Sequence, residues 1–232
     1  MRDGTYAVIP VKPFASAKGR LAPILNSFER AQLARLMLDD VLDAVRAAHA
    51  LAGFCVVTCD PDAAELAKAG GEVIWEDGAF GFTHAVETAV RELSGRAAAM
   101  VVIPADIPHL PSATIDTAVA MTKDQGVTLV PAICDGGTNL LAVRPCDLLP
   151  PLFGPESFSR YRMAALDAGI TPKIHHCPKA GHDIDRPRDL LTFLAMRPAT
   201  RTHDFVAGLN VAERLKPPTG LLNLAPLVAA LA

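Results

Sequence analysis

Three cations lie close together near the start of the chain, in the stretch "VIPVKPFASAKGRL" from Val8 to Leu21: Lys12, Lys18 and Arg20. Arginine offers a two-pronged hydrogen-bonding fork and lysine a mobile point charge, and both are suited to phosphate. Gly19 and the small Ala15, Ser16 and Ala17 let backbone N–H groups come close to a ligand. The stretch is neither a P-loop nor a G-x-G-x-x-G, which argues against a P-loop NTPase and against a nicotinamide-dependent oxidoreductase. A solvated basic loop ahead of a helix explains the same residues without any ligand.

Carboxylates form the second group. "VVIPADIPHLP" (101–111) carries an apolar run into Asp106, flanked by Pro104 and Pro108, which force a rigid nonhelical exit. In "HDIDRPRDLL" (182–191), Asp183 and Asp185 stand two residues apart, so in extended chain both face the same side. Hard carboxylate oxygens with no thiolate pattern suit magnesium, although a helix cap or a loop hydrogen bond also accounts for Asp106. Two further turns could hold an anion: Gly136-Gly137-Thr138-Asn139 before a strand, and Gly154 to Phe158 before a helix, with Ser157 near the helix start. A hairpin turn and an ordinary cap are their plain alternatives. The histidines of "HHCPKAGH" (175–182) match no usual zinc spacing, and no Ser-His-Asp or Cys-His pattern is present.

Something must bring these groups to one edge. Short Val- and Ile-rich runs at 6–11, 53–59, 72–75, 99–104, 127–132, 139–144 and 173–177 read as strands. Between them lie stretches of helical period: a long helix from Ser27, taken as its N-cap, to Ala50, and shorter ones at 61–69, 81–94, 112–124, 158–168 and 187–196. This alternation predicts an α/β fold, a single domain with a mostly parallel sheet and helices on both faces. In such sheets ligands bind outside the carboxyl ends of the strands, where the basic loop and Asp106 fall.

Composition sets limits. The chain has 232 residues, half of them hydrophobic, enough for one substantial core. Its 22 Lys and Arg against 25 Asp and Glu leave a net charge of -3, so nothing global favours nucleic acid or a membrane surface. No apolar run reaches the roughly 18 residues of a membrane span. The N-terminus does not read as a signal peptide, and the five cysteines form no C-x-x-C, as expected of a cytoplasmic protein with reduced thiols. The domain is expected over 1–196. Residues 197–232, ending in "LLNLAPLVAALA", read as a tail that packs on the domain or on a second copy in a homodimer.

In order and spacing, "IPVKPFASAKGRL", "VVIPADIPHL", "PAICDGGTNLLAVRP", "FGPESFSRY" and "DIDRPRDL" resemble the phospholactate guanylyltransferase family of deazaflavin coenzyme biosynthesis, over about Tyr6 to Leu194. The resemblance implies a Rossmann-like nucleotidyltransferase fold, GTP, Mg2+ and an acceptor that is a small phosphorylated carboxylic acid: 2-phospho-L-lactate, phosphoenolpyruvate or 3-phospho-D-glycerate. By the same resemblance, Asp106, Asp183 and Asp185 hold metal ions, and Lys12, Lys18 and Arg20 steady the triphosphate. Pro10 and Val11 line the guanine pocket, while Thr138, Gly154 and Ser157 hold the acceptor. The chain departs from the family pattern G-L-N-x-A at Gly81-Phe82-Thr83-His84-Ala85, and from S-F-x-x-H at Ser157 to Tyr161. A molybdopterin cytidylyl- or guanylyltransferase is a related alternative, disfavoured by the missing L-x-G-G-x-S-x-R-x-G-x-x-K opening. A noncatalytic nucleotide-binding protein is another, disfavoured by the full set of acidic positions.

Overall fold

The computed structural model describes residues 4–78, 80–122 and 125–216. Seven strands form one sheet: β1 (Thr5–Pro10), β2 (Gly53–Thr58), β3 (Glu72–Trp75), β4 (Ala99–Val102), β5 (Gly126–Pro131), β6 (Thr138–Arg144) and β7 (Lys173–Ile174), in the order β3-β2-β1-β4-β6-β5-β7. Pairing is parallel except that β6 runs against both β4 and β5. The first crossovers leave β1 towards β2 and the later chain returns to its other side at β4, so the order reverses between β1 and β4. Loops leaving two strands on opposite sides of such a point part and open a crevice.

Eight helices complete the described chain: α1 (Ser27–Arg46), α2 (Pro61–Ala67), α3 (Phe82–Leu93), α4 (Ser112–Met121), α5 (Ser157–Asp167), α6 (Pro187–Met196), α7 (Arg201–Gly208) and α8 (Val211–Arg214). Alternation along the strands feeds two cores. Ala7 and Ile9 of β1 join Leu33, Met37 and Leu38 of α1 and Phe193 of α6 on one face, while Val8 joins Val86 and Ala89 of α3 and Ala165 of α5 on the other. Helices on both faces of a mostly parallel sheet are therefore present as expected. The start of α1 differs by one residue. Asn26, not Ser27, is the N-cap: its side chain accepts from Glu29 N, and the Glu29 carboxylate accepts from Asn26 N. That reciprocal pair satisfies two donors, which Ser27 with Arg30 three residues on could not do. No helix among the described residues is long and apolar enough to cross a membrane.

After α6 the described chain forms α7 and α8, and α7 packs on α1. Val206 and Val211 are buried in the first core. Asp40, a buried carboxylate on α1, accepts hydrogen bonds from the backbone N–H groups of Arg201 and Thr202 and from the Thr202 hydroxyl. The Arg201 guanidinium bridges Asp40 and Asp43, and Arg214 makes two 2.8 Å bonds to Glu29 at the helix start. The terminal "LLNLAPLVAALA" lies outside the described residues.

Removing the Asp40 carboxylate strands several buried donors at once. Asp40→Ala is expected to cost about 2–4 kcal/mol in urea unfolding. Asp43→Ala, which breaks only surface pairs with Arg201 and Arg46, is expected to cost no more than about 1 kcal/mol.

Candidate active site

At the carboxyl edge of the sheet, the loops after β1 and β4 enclose a cleft of about 420 Å³, walled by Pro10, Val11, Lys18, Arg20 and Asp106 with Met37 of α1 behind. The loop after β1 folds into two single 3-10 turns, Phe14–Ser16 and Gly19–Leu21. Lys18 sits between them in the left-handed region (φ 54°), and that turn aims its side chain back under the sheet edge. Asp60, after β2, anchors the loop. One of its oxygens caps α2 by accepting from Asp62 N and Ala63 N, and the other accepts from Phe14 N at 2.7 Å.

The Lys18 ammonium is nearly buried and bridges two carboxylates, donating to Asp106 Oδ2 at 2.7 Å and to Asp185 Oδ1 at 2.8 Å. Burial alone would pull its pKa down, but the charges of Asp106 and Asp185 outweigh burial and hold it above the ordinary lysine value. Arg20 donates to the other Asp185 oxygen at 2.9 Å. Burial pushes the Asp185 carboxyl up, but Lys18, then Arg20 and Lys12, pull it below the usual carboxylate range. Lys12 lines the cleft, exposed, with no ion pair among the described residues.

Asp183 differs from its neighbour two residues on. Burial, and then the negative charge of Asp106, push its carboxyl up to about 6. Its hydrogen-bond partner is Asn139 at the start of β6, whose amide donates to Asp183 Oδ1 at 3.3 Å and to the Ala180 carbonyl at 3.0 Å. Because β6 is the antiparallel strand, its beginning lies at the same edge as the ends of β1 and β4. The chain around Asp185 is held by Asp189, whose carboxylate accepts from the N–H groups of Asp185 and Arg186.

The two small-residue turns meet. Ser157, buried at the first residue of α5, donates its hydroxyl to Thr138 Oγ1 at 3.2 Å, and Phe158 N donates to the Gly136 carbonyl. Gly136 has φ +71° and lies under the Glu156 carboxylate, so a methyl group there would meet both of its oxygens at 2.9 Å. Gly154, at φ +115°, turns the chain into α5. Arg160 and Tyr161 serve this loop from behind. Tyr161 is fully buried and its hydroxyl accepts from Leu152 N at 2.7 Å, while Arg160 donates to the carbonyls of Leu152 and Phe153. Thr83 likewise donates to the Phe153 carbonyl. Of the departures from the family pattern, Thr83 and Tyr161 brace this loop together with Arg160, while Phe82 lines the cleft.

The sequence-derived residues thus gather along one edge: Pro10, Val11, Lys12, Lys18, Arg20, Asp106 and Asp185 wall the cleft, and Asp183 lies within the field of Asp106. Thr138, Gly154 and Ser157 form a separate pair of joined loops at that edge. Asp60 is a positioning residue that motif reading passed over, although "DPD" before a helix signals it; Asn139 and Asp189 stand inside the motifs, which did not reveal their positioning roles.

The chain is similar to known proteins over most of its length. The chain is 32% identical over 201 residues to a phosphoenolpyruvate guanylyltransferase of Sphaerobacter thermophilus, covering 86% of this chain and 97% of that protein. It is 33% identical over 209 residues to a 3-phospho-D-glycerate guanylyltransferase of Phenylobacterium zucineum, covering 88% and 96%. Among solved structures, one from Desulfovibrio desulfuricans assigned as a nucleotide-diphospho-sugar transferase superposes with a TM-score of 0.73 over 90% of this chain and 97% of its own, at 17% identity, a likeness of fold. The sequence model described as "Guanylyl transferase CofC like" matches residues 5–219, past α8 and beyond the boundary expected at 196. With the cleft, its cations and its acidic edge in place, the chain belongs to the CofC-like guanylyltransferase family.

Proposed function

We propose that the protein transfers GMP from GTP to the phosphate of a small phosphorylated carboxylic acid and releases pyrophosphate, a step in making a deazaflavin coenzyme. The observation that carries this reading is the cluster of Lys18, Arg20, Asp106 and Asp185 at the point where the strand order reverses. No disulfide joins the five cysteines, which suits a cytoplasmic setting.

In this reading Lys12, Lys18 and Arg20 meet the triphosphate, and Pro10 and Val11 line the guanine side of the cleft. Thr138, Gly154 and Ser157 receive the acceptor: a hydroxyl pair at a helix start suits an anion. An acceptor phosphate oxygen attacks the α-phosphorus of GTP, and the bond from that phosphorus to the oxygen bridging to the β-phosphate breaks. Pyrophosphate leaves with the electron pair and a phosphate–phosphate diester remains. The attacking oxygen is already ionised near neutral pH, so the chain need supply no strong base. Its task is to align two anions and offset their repulsion.

Magnesium fits the acidic edge. Among the described residues no group of three or more His, Cys, Asp and Glu side chains could hold a metal ion. Asp106 and the strongly desolvated Asp183 nevertheless pair two hard carboxylates, and magnesium is commonly held by one or two carboxylates with substrate phosphates and water. Bound there, the ion would withdraw charge from the phosphates and leaving group. Asp185 gives its oxygens to Lys18 and Arg20. A triphosphate would offer those cations a denser negative charge and leave Asp185 to join the same edge.

If Arg20 grips the triphosphate, Arg20→Ala should weaken GTP binding by about 1.5–3 kcal/mol, with Arg20→Lys recovering only part, as a point charge cannot replace the fork. Unchanged GTP affinity by calorimetry in both variants would remove Arg20 from the clamp. Asp183 makes a pH-dependent prediction. A carboxyl whose folded pKa is raised from 3.8 to about 6 loses stability as pH rises through that window, and the deficit is complete above it. Asp183→Asn should therefore raise the melting temperature of the nucleotide-free protein at pH 7.5 by roughly 3–8 °C, with the gain fading towards pH 4. The same variant should lose most pyrophosphate release.

A further inference from the structure

Beside the main cleft runs a narrow extension that shares Pro10, Val11, Lys12 and Phe82 with it and ends against Glu76 and Gly81. Glu76 follows β3 and is fixed from both sides. Its backbone N–H donates to the Thr58 carbonyl at 3.0 Å, and its side chain, only 6% exposed, has Oε1 at 3.1 Å from His84 Nδ1. The imidazole packs against the Phe80 ring, with ring centres 4.7 Å apart. This contact uses one of the roughly four acceptor sites of a carboxylate. Thr83, where the family pattern has an amide, is turned away and bonded to Phe153, so it is not available to a base.

We propose that Glu76 is the residue that selects guanine, accepting from N1–H and the 2-amino group of the base, with His84 as its positioning residue. Among the common nucleobases only guanine presents two adjacent donors on its pairing edge. Adenine, cytosine and uracil each set an acceptor there, and an acceptor against a poorly hydrated carboxylate is repelled. The extension holds only about 20 Å³, room for the edge of a purine and not its ring. The ring itself lies in the wide cleft against Pro10, Val11 and Phe82, with its triphosphate running towards Lys18 and Arg20. The inference rests on the guanylyltransferase reading above and adds to it the source of base choice.

Inosine triphosphate tests it, because it keeps N1–H and lacks only the 2-amino group. Pyrophosphate release is measured with GTP, ITP and ATP for wild type, Glu76→Gln and His84→Ala, each checked for folding by circular dichroism. Wild type should prefer GTP to ITP by about tenfold or more in kcat/KM. In Glu76→Gln the GTP value should fall by about 10- to 100-fold while ITP changes by less than about threefold, so the preference collapses. His84→Ala should narrow the same ratio, chiefly through KM for GTP. Equal use of GTP and ITP by wild type overturns the proposal without needing any variant. So does a folded Glu76→Gln in which both nucleotides lose rate in parallel. Either outcome with release from GTP intact leaves the transferase reading standing; absence of release from every nucleotide with all three phospho-acids would instead remove that reading.

Discussion

A lysine ammonium held under the sheet edge between two carboxylates organises this protein. Lys18, Asp106 and Asp185 come from segments 88 and 167 residues apart in the chain, and their meeting fixes three loops against one another. An unpaired charge at that depth would be strongly unfavourable, and two unpaired carboxylates would repel. Each member therefore requires the others, and the loops after β1, after β4 and before α6 have a common geometry before any substrate arrives. The surrounding contacts serve that arrangement: Asp60 holds the first loop through Phe14, and Asp189 holds the third through two backbone N–H groups.

Acidic side chains on the same short segment are used in opposite ways. Asp185 is surrounded by cations and stays ionised easily, while Asp183 is desolvated beside another carboxylate and titrates near 6. A two-residue step puts both on one side of an extended chain, yet their environments differ because Lys18 reaches one and Asn139 the other. The edge thus combines a neutralised half and an electron-rich half, the division needed to receive a polyanion and a cation together.

Most of the frame was legible in the sequence. Val- and Ile-rich runs mark strands because a strand buried on both faces has little choice of residue, and six of the seven end within two residues of their expected positions. β7 is shorter, two residues where five were expected. The direction of β6 was not legible, since hydrophobicity is the same read either way; yet that reversal is what carries Thr138 and Asn139 to the ligand edge. The cations and acids could be named from their types and spacing. Their pairing could not, because an ion pair between distant segments leaves no local mark. Arg160 and Tyr161 show the converse: two polar residues beside a motif, spent on bracing carbonyls and an N–H of the loop.

The lock between Asp40 and the start of α7 has a consequence for how the chain is made. Synthesis delivers α1 well before α7, so a nascent chain carries Asp40 and its apolar neighbours on α1 without their partners until the residues around Thr202 have left the ribosome. The β1–β4 half can pair as it emerges, but the face of α1 is completed only once α7 has followed. Prematurely terminated chains would therefore display a distinctive mark, an uncovered helix bearing a desolvation-prone carboxylate, which chaperones and proteases can distinguish from the finished enzyme.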